Sequence, residues 1–190
     1  MEAARLIAEK EGLQGISIRK VAKEAGFTEG SIYNYFENKQ VLLRHLIQEG
    51  FETLMAEASW LVSSHESAEA QIIKQFQSYT EAVMKMPEYY QAVMLSDDPH
   101  ILSETAVLND SLRNKPGGID RLAALLEKGM SDREFAIQDP LLTAKIIWSA
   151  IFGILIRFII EGLSRKEGKI LIDEQLNLMI GALKKKGDML

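Results

Sequence analysis

The segment from Ser17 to Lys39, SIRKVAKEAGFTEGSIYNYFENK, constrains the fold more than any other part of the chain. Ser17 is a suitable N-cap for a helix. After it, apolar residues recur at the three-and-four spacing of a single helix face: Ile18, Val21, Ala22 and Ala25. Gly26 stands where a helix end adopts the left-handed conformation, and Phe27 is expected to be the buried anchor of the turn. The pattern therefore predicts a helix that stops at a tight glycine turn.

A second and shorter helix is predicted directly after this turn. Thr28 is suited to cap it, and it is expected to end near Phe36. A helix of this length is marginal in water by itself, so neighbouring helices must hold it in place. Its hydroxyls, amide and aromatic rings are therefore interpreted as groups that contact a partner.

The two helices resemble the DNA-binding domain of the TetR (tetracycline repressor) family. The pattern of that family is A-G-[VF]-[ST]-x-G-[ST]-[ILF]-Y-x-[YH]-F-x-x-K, followed by a long helix. The matching residues are Ala25, Gly26, Phe27, Thr28, Gly30, Ser31, Ile32, Tyr33, Tyr35, Phe36 and Lys39. The motif match covers roughly the first 45 residues, and beyond them the resemblance depends on length and helical layout.

The resemblance implies that the second helix enters the major groove of DNA, which is ~12 Å wide, with its first residues facing base edges. Contacts to phosphates are then expected from helix ends and from placed cations. The residues predicted to contact DNA are Ser17, Arg19, Thr28, Glu29, Gly30, Ser31, Tyr33, Asn34, Tyr35 and Lys39. Two alternatives stay open: Tyr33 or Tyr35 is a half-buried packing residue, and Ser17 and Thr28 act only as caps.

The whole chain is predicted to be all-α, with about nine helices, because no window shows sustained alternation of polar and apolar residues. Asn38 is expected to cap a long helix that runs to about residue 62. Later helices are expected at residues 67–86, 88–95, 100–113, 119–130, 140–161 and 170–186. The predicted division is a helix-turn-helix DNA-binding domain at residues 1–45, with the helix at 38–62 as connector, and a ligand-binding and dimerisation domain at residues 46–190.

Charge and composition narrow the classes of function. The absence of cysteine excludes disulfides and thiolate metal sites. The net charge of −5 argues against a generally basic nucleic-acid-binding protein, although residues 1–50 are neutral, with seven basic and seven acidic side chains. Met1 opens directly into an amphipathic stretch, and the longest apolar run is shorter than the ~18–20 residues of a membrane span. A soluble cytoplasmic protein with no membrane contact and no cofactor is expected.

Methionine and aromatic residues are frequent between Phe76 and Phe158. Together with the family resemblance they suggest a cavity for a small apolar or amphipathic effector. The predicted lining is Phe76, Tyr79, Met84, Tyr90, Met94, Met130, Trp148 and Phe152. The alternative is that most of these side chains are ordinary core, since the resemblance rather than their spacing favours a cavity.

Two apolar helices near the C-terminus are predicted to form a homodimer. The predicted interface residues are Ile147, Ile151, Ile154, Phe158, Ile172, Leu176, Met179 and Leu183. Two such helices from each subunit would pair as a four-helix bundle around a two-fold axis, and this symmetry requires a roughly palindromic operator. The alternative is a core helix of a monomer.

Together these features predict a ligand-responsive transcriptional regulator, in the repressor form that is usual for the family, released from its operator by a small molecule. Motifs for catalysis are weak. The string at His65, Glu66 and Glu69 lacks the second histidine of a zinc protease, and a capping turn explains Asp98 and His100 without a metal. The protein is therefore expected not to be an enzyme. The alternatives are an all-helical enzyme or metal-binding protein that retains a helix-turn-helix, and a helical module that binds a protein partner.

Overall fold

The computed structural model describes residues 1–57, 66–112 and 117–184. Within these ranges the chain is helical, and its only β-type pairing is an isolated bridge between Phe135 and Lys184. The α-helices are α1 (Glu2–Glu11), α2 (Ile18–Ala25), α3 (Glu29–Tyr33), α4 (Lys39–Glu57), α5 (Ala68–Lys85), α6 (Pro87–Met94), α7 (Pro99–Thr105), α8 (Gly118–Ser131), α9 (Pro140–Glu161) and α10 (Arg165–Leu183). Short 3₁₀ helices lie at Leu13–Gly15 and Asp110–Leu112. The predicted all-α class is confirmed.

Three helices of the N-terminal part, α2, α3 and α4, begin at residues whose side chains cap them. The Ser17 hydroxyl accepts a hydrogen bond from the Lys20 N–H at 3.2 Å, and the Thr28 hydroxyl accepts one from the Ser31 N–H at 3.1 Å. The Asn38 amide oxygen accepts from the Val41 N–H at 3.0 Å. Each cap satisfies one of the backbone donors that a helix start leaves without a partner.

Phe27 is not the buried anchor that the sequence suggested, because 65% of its surface is exposed. Backbone hydrogen bonds close the turn instead. Gly26 has a positive φ of 71°, and the N–H groups of Gly26 and Phe27 donate to the carbonyls of Lys23 and Ala22. These two bonds satisfy the carbonyls at the end of α2, so the turn between α2 and α3 needs no buried side chain.

Some helix ends differ from the prediction. α3 ends about one turn earlier than expected, and α7 ends at Thr105 because the backbone of Ala106 is extended. α10 begins five residues earlier than expected, because Ser164 and Glu167 form a capping box at its start. The fourth helix was expected to end near residue 62 and to be followed by a break, and both positions lie outside the described residues. The predicted end of the helix at 100–113 lies outside them as well.

Two separate apolar cores organise the helices. The N-terminal core is formed by α1 to α4 and contains Ile7, Ile16, Val21, Ile32 and Leu46 among its buried residues. A larger core joins α5, α8, α9 and α10, and it also contains Leu54 from the later part of α4. α4 therefore contributes side chains to both cores.

α6 packs unusually close to α4. A Cβ atom on Gly50 would lie only 2.2 Å from the Tyr89 ring, so this approach requires glycine. Tyr89 packs against the N-terminal core, whereas the next residue, Tyr90, is buried in the larger core. α6 thus separates the two cores and contacts both.

α9 is long and apolar enough to cross a membrane when judged by length and composition alone. One helix of this kind is weak evidence for a membrane span. One side of α9 lies in the larger core through Ala144, Ile147, Ile151 and Leu155, and this packing accounts for much of its apolar character.

The Gly50 contact generates a stability prediction. Gly50→Ala should lower the free energy of unfolding by about 1–3 kcal/mol, because the added methyl group overlaps the Tyr89 ring. Urea denaturation followed by circular dichroism measures this change. Gly30→Ala is the matched control, since its Cβ would meet only the Thr28 hydroxyl at 3.8 Å. Equal stability of the two variants would contradict the close packing of α4 and α6.

Candidate functional site: an exposed recognition helix and an apolar cavity

The residues predicted to contact DNA surround α3 on the surface of the N-terminal core. Ile32 is buried and fixes α3 to that core. The Tyr35 ring is 80% exposed, so it is not a half-buried packing residue, whereas the Tyr33 ring is 51% exposed and the packing alternative stays open for it. Arg19, Thr28, Glu29, Gly30 and Asn34 are also exposed, and Ser17, Ser31 and Lys39 are partly exposed. The ten residues therefore lie on accessible surface in the structure.

Local hydrogen bonds determine which groups on this surface are already engaged. The Thr28 and Ser31 hydroxyls lie 2.9 Å apart, so each contributes to the start of α3 as well as to the surface. Lys20 forms an ion pair with Glu11 and donates to the Gly15 carbonyl at 3.1 Å. Lys20 therefore ties α2 to the end of α1, whereas its neighbour Arg19 points to solvent.

A cavity of about 290 Å³ lies in the second part of the chain. Five of the eight residues predicted to form a ligand site line it: Tyr79, Tyr90, Met94, Trp148 and Phe152. The other three do not. Phe76 is buried behind Trp148, with ring centroids 5.2 Å apart, and Met84 packs toward Gly168 on α10. Met130 is not part of the lining.

Sequence reasoning missed the walls of this cavity that come from α4, α7 and the start of α8. These additional lining residues are Phe51, Met55, Leu102, Thr105, Ala106, Val107, Leu108, Gly117, Gly118, Ile119 and Ser149. Phe51 and Met55 are four residues apart, so these two apolar side chains lie on one face of α4. The spacing does not say whether that face meets a core or a cavity.

Aromatic rings form one end of the cavity. The Tyr79 ring meets the Trp148 ring edge-on, with centroids 5.0 Å apart and an interplanar angle of 86°. Tyr79 meets Tyr90 in the same way at 6.0 Å. Burial raises the pKa of the Tyr79 hydroxyl well above its ordinary value, and the neighbouring Tyr90 raises it further. Burial also raises the pKa of Tyr90. Both phenols therefore stay uncharged at physiological pH.

An ion pair ties α4 to the cavity wall. The Arg44 Nε atom lies 2.6 Å from an Asp98 carboxylate oxygen, and the other oxygen of Asp98 accepts from the His100 N–H at 2.9 Å. Burial alone would raise the pKa of the Asp98 carboxyl, but the His100 N–H and the Arg44 guanidinium outweigh it and lower that pKa. Asp98 thus caps α7, which walls the cavity, and binds the helix that carries the N-terminal core.

The residues predicted to form a dimer interface lie on the inner face of their helices. Ile147, Ile151, Phe158, Ile172 and Leu176 are buried in the larger core. Ile154, Met179 and Leu183 are partly buried and pack against the same core. The five buried side chains are therefore core residues of their own chain, whereas an interface role of the three partly buried ones stays a prediction. The exposed apolar residues of α9 and α10 are Leu142, Ile146, Ile160, Ile170, Leu171 and Leu178.

The metal and enzyme alternatives receive no support from the described part of the chain. Among those residues no group of three His, Cys, Asp or Glu side chains could hold a metal ion. Asp98 is engaged in capping α7 and in its ion pair with Arg44. His65 lies outside the described residues, so the motif that contains it is not placed.

A short exposed helix after a glycine turn, held on a three-helix core, defines a helix-turn-helix regulator. The family model for bacterial regulatory proteins of the tetR family matches residues 1–46. An HTH-type transcriptional regulator of Bacillus subtilis, YfiR, is 25% identical over 161 residues, which cover 82% of this chain and 76% of the relative. The N-terminal part of the chain therefore matches the tetR-family model, and most of the chain is similar to an HTH-type transcriptional regulator.

Solved structures show the same fold over nearly the whole chain. A transcriptional regulator from Cytophaga hutchinsonii matches with a TM-score of 0.72 at 14% identity, covering 97% of this chain and 96% of the other. SmeT, the repressor of the Stenotrophomonas maltophilia multidrug efflux pump SmeDEF, matches with a TM-score of 0.68 at 15% identity, covering 100% and 90%. These proteins are regulators rather than enzymes.

Capping and exposed residues of the α3 surface should differ in their effect on stability. Thr28→Ala should lower the free energy of unfolding by about 1 kcal/mol, because the Ser31 N–H loses its acceptor. Tyr35→Ala should change it by less than about 0.5 kcal/mol, because the ring is largely exposed. Chemical denaturation of both variants measures the difference. A large loss of stability in Tyr35→Ala would mean that the ring has a packing role.

Proposed function

We propose that this protein is a ligand-responsive repressor that binds a roughly palindromic operator as a cytoplasmic homodimer and is released by a small-molecule effector. The observation that carries the proposal is the pairing of two features in one chain. An exposed α3 presents hydroxyl, amide and aromatic groups. The walls of an apolar cavity are formed by α4, which supports α3, and by helices that contact α4. SmeT, whose fold is similar, is named as a repressor.

DNA contact through α3 is supported by its accessibility. Ser31, Tyr33 and Asn34 lie on a helix short enough to enter the major groove with its first turn leading. Gly30 carries no side chain that would keep the backbone from the DNA. Because the first 50 residues are neutral overall, the affinity must come from a few placed contacts rather than from bulk positive charge. Non-specific binding to DNA should accordingly be weak.

Dimerisation is supported by the outer face of α9 and α10. Leu142, Ile146 and Ile160 follow one another at helical spacing on the exposed side of α9, and Leu171 and Leu178 lie seven residues apart on α10. Apart from the adjacent residues and the backbone of the same helix, no described atom lies within 4 Å of a Cβ built on Gly153 or Gly181, so both positions leave room for a helix from a second subunit. Four such helices would form a two-fold bundle.

Release of the operator requires an effector that binds one conformer of the dimer more tightly than the other. The cavity is suited to this role because its walls include α4, which carries the N-terminal core, and α6, which packs on that core. Binding would then favour the conformer in which the two α3 helices no longer match the spacing of the operator half-sites. Saturating effector that left operator affinity unchanged would refute this step.

The DNA-binding part predicts a gel shift with the region upstream of the gene for this protein. Tyr33→Ala and Ser31→Ala should each weaken operator binding about tenfold, because a lost contact of about 1.4 kcal/mol has that effect. Lys39→Ala should also reduce the salt dependence, by about one unit of slope. Glu127→Ala, an exposed change on α8 away from both proposed surfaces, is the control. Absence of any shift by the native protein at low salt would refute DNA binding at this site.

The dimer proposal predicts that a charge on the outer face separates the subunits. Leu178→Glu should shift the protein from dimer to monomer in sedimentation velocity, because the carboxylates would be buried between apolar helices. Leu95→Glu is the matched control, since Leu95 is also exposed but ends α6 rather than lying on α9 or α10. A Leu178→Glu protein that stays dimeric would place the interface elsewhere.

A further inference from the structure

We propose that the effector of this cavity is an uncharged molecule with an apolar body and a hydrogen-bond donor, such as a hydroxyl or an N–H group. The inference rests on the proposed function, because it names the chemical class that the effector site accepts. Three properties of the cavity carry it: the absence of charge in its described lining, the engagement of described charged groups on adjoining turns, and the orientation of two of its hydroxyls.

The first property is an uncharged lining. The described residues that line the cavity include no Asp, Glu, Lys, Arg or His. Burying a lone charge in such surroundings is unfavourable, because no counter-charge compensates for the lost water. Contact of a cation with the faces of Tyr79 and Trp148 would offset only part of this cost. The cavity therefore disfavours both anionic and cationic ligands.

The second property is that charged groups near the cavity are already engaged. Lys145, one turn before Ser149 on α9, forms an ion pair with Asp110 at 2.7 Å. At the start of α8, the Asp120 carboxylate accepts from the Gly117 N–H at 2.8 Å. A carboxylate thus already occupies the positive end of this helix, so the helix end does not offer a place for an anionic ligand.

The third property is the orientation of two hydroxyls on opposite walls. The Thr105 hydroxyl on α7 donates to the Ile101 carbonyl at 2.9 Å, and the Ser149 hydroxyl on α9 donates to the Lys145 carbonyl at 2.8 Å. A hydroxyl has a single proton, so each of these groups presents only lone pairs to the cavity. A ligand that bonds to them must supply the proton itself.

The volume and shape of the cavity limit the apolar body. At about 290 Å³, the cavity lies at the lower end of the range for small-molecule sites, which is roughly 300–1,000 Å³. The edge-to-face rings at one end suit a flat aromatic ligand better than a bulky one. A bicyclic aromatic alcohol combines these features and serves as the test molecule.

The test uses four probes that share one bicyclic body: 2-naphthol, 2-methoxynaphthalene, 2-naphthoate and 2-naphthyltrimethylammonium. Binding to the full chain without DNA is measured by isothermal titration calorimetry. We expect 2-naphthol to bind about 3- to 10-fold tighter than 2-methoxynaphthalene, which has the oxygen but no donor. We expect both charged probes to bind at least about tenfold more weakly than 2-naphthol.

Two variants test whether the Thr105 and Ser149 hydroxyls cause the selectivity for 2-naphthol. Thr105→Val preserves the shape of the side chain and Ser149→Ala is a small change at the cavity mouth, so both should fold. Each should lower the advantage of 2-naphthol over 2-methoxynaphthalene and leave binding of the methoxy compound unchanged. Ser103→Ala is the matched control, because the Ser103 hydroxyl also bonds to a carbonyl of α7 but does not line this cavity. Its selectivity should equal that of the native protein.

The inference is overturned if a charged probe binds as tightly as 2-naphthol, if the methoxy compound binds equally well, or if no probe binds at millimolar concentration. A gel shift with unliganded protein, run in parallel, distinguishes a failure of this inference from a failure of the proposed function. Operator binding without the expected probe selectivity overturns only the inference. The expected selectivity without release of the operator supports the ligand class and refutes the effector role of the cavity.

Discussion

The packing of the Tyr89 ring on Gly50 is the contact on which the arrangement of the two cores depends. No side chain larger than hydrogen fits between α4 and α6 at this point. Glu88, the preceding residue, reaches toward Gly12 at the end of α1, so the N-terminal core rests on α6 at two places. Tyr90 and Met94, on another face of α6, line the cavity. One short helix therefore contacts the N-terminal core through one face and lines the cavity through another.

Local features of this fold could be predicted from the sequence because local hydrogen bonds determine them. Ser17, Thr28 and Asn38 cap the helices that follow them, and Gly26 adopts the positive φ expected of a residue after a helix end. Each of these features depends on atoms within a few residues of the chain. Phe27 shows the limit of this reasoning. A side chain is buried only if another part of the fold covers it, and none does here.

Tertiary features could not be predicted in the same way. α9 is apolar on nearly every side, so periodicity does not distinguish the face with Ile147 and Ile151, which is core, from the face with Leu142 and Ile146, which is exposed. The aromatic residues of the lining were predicted from composition and the family resemblance, and neither distinguishes a lining ring such as Tyr79 from a core ring such as Phe76. Leu102 and Val107 were missed, because the chain was expected to continue as one helix where it turns and forms a wall.

Besides α4 itself, which lines the cavity with Phe51 and Met55, two contacts link the cavity wall to the N-terminal core, and their magnitudes differ. A hundredfold change in operator affinity requires about 2.7 kcal/mol of coupling. The Arg44–Asp98 pair is partly exposed to solvent, and ion pairs of this kind contribute about 1 kcal/mol or less. The ion pair alone is therefore too weak to carry such a change. Displacement of α6 against Gly50 is opposed by steric overlap, which rises steeply as the distance shortens. Movement of Tyr90 or Met94 is therefore transmitted to α4 mainly through the Tyr89 contact, alongside direct contact of the ligand with Phe51 and Met55 on α4.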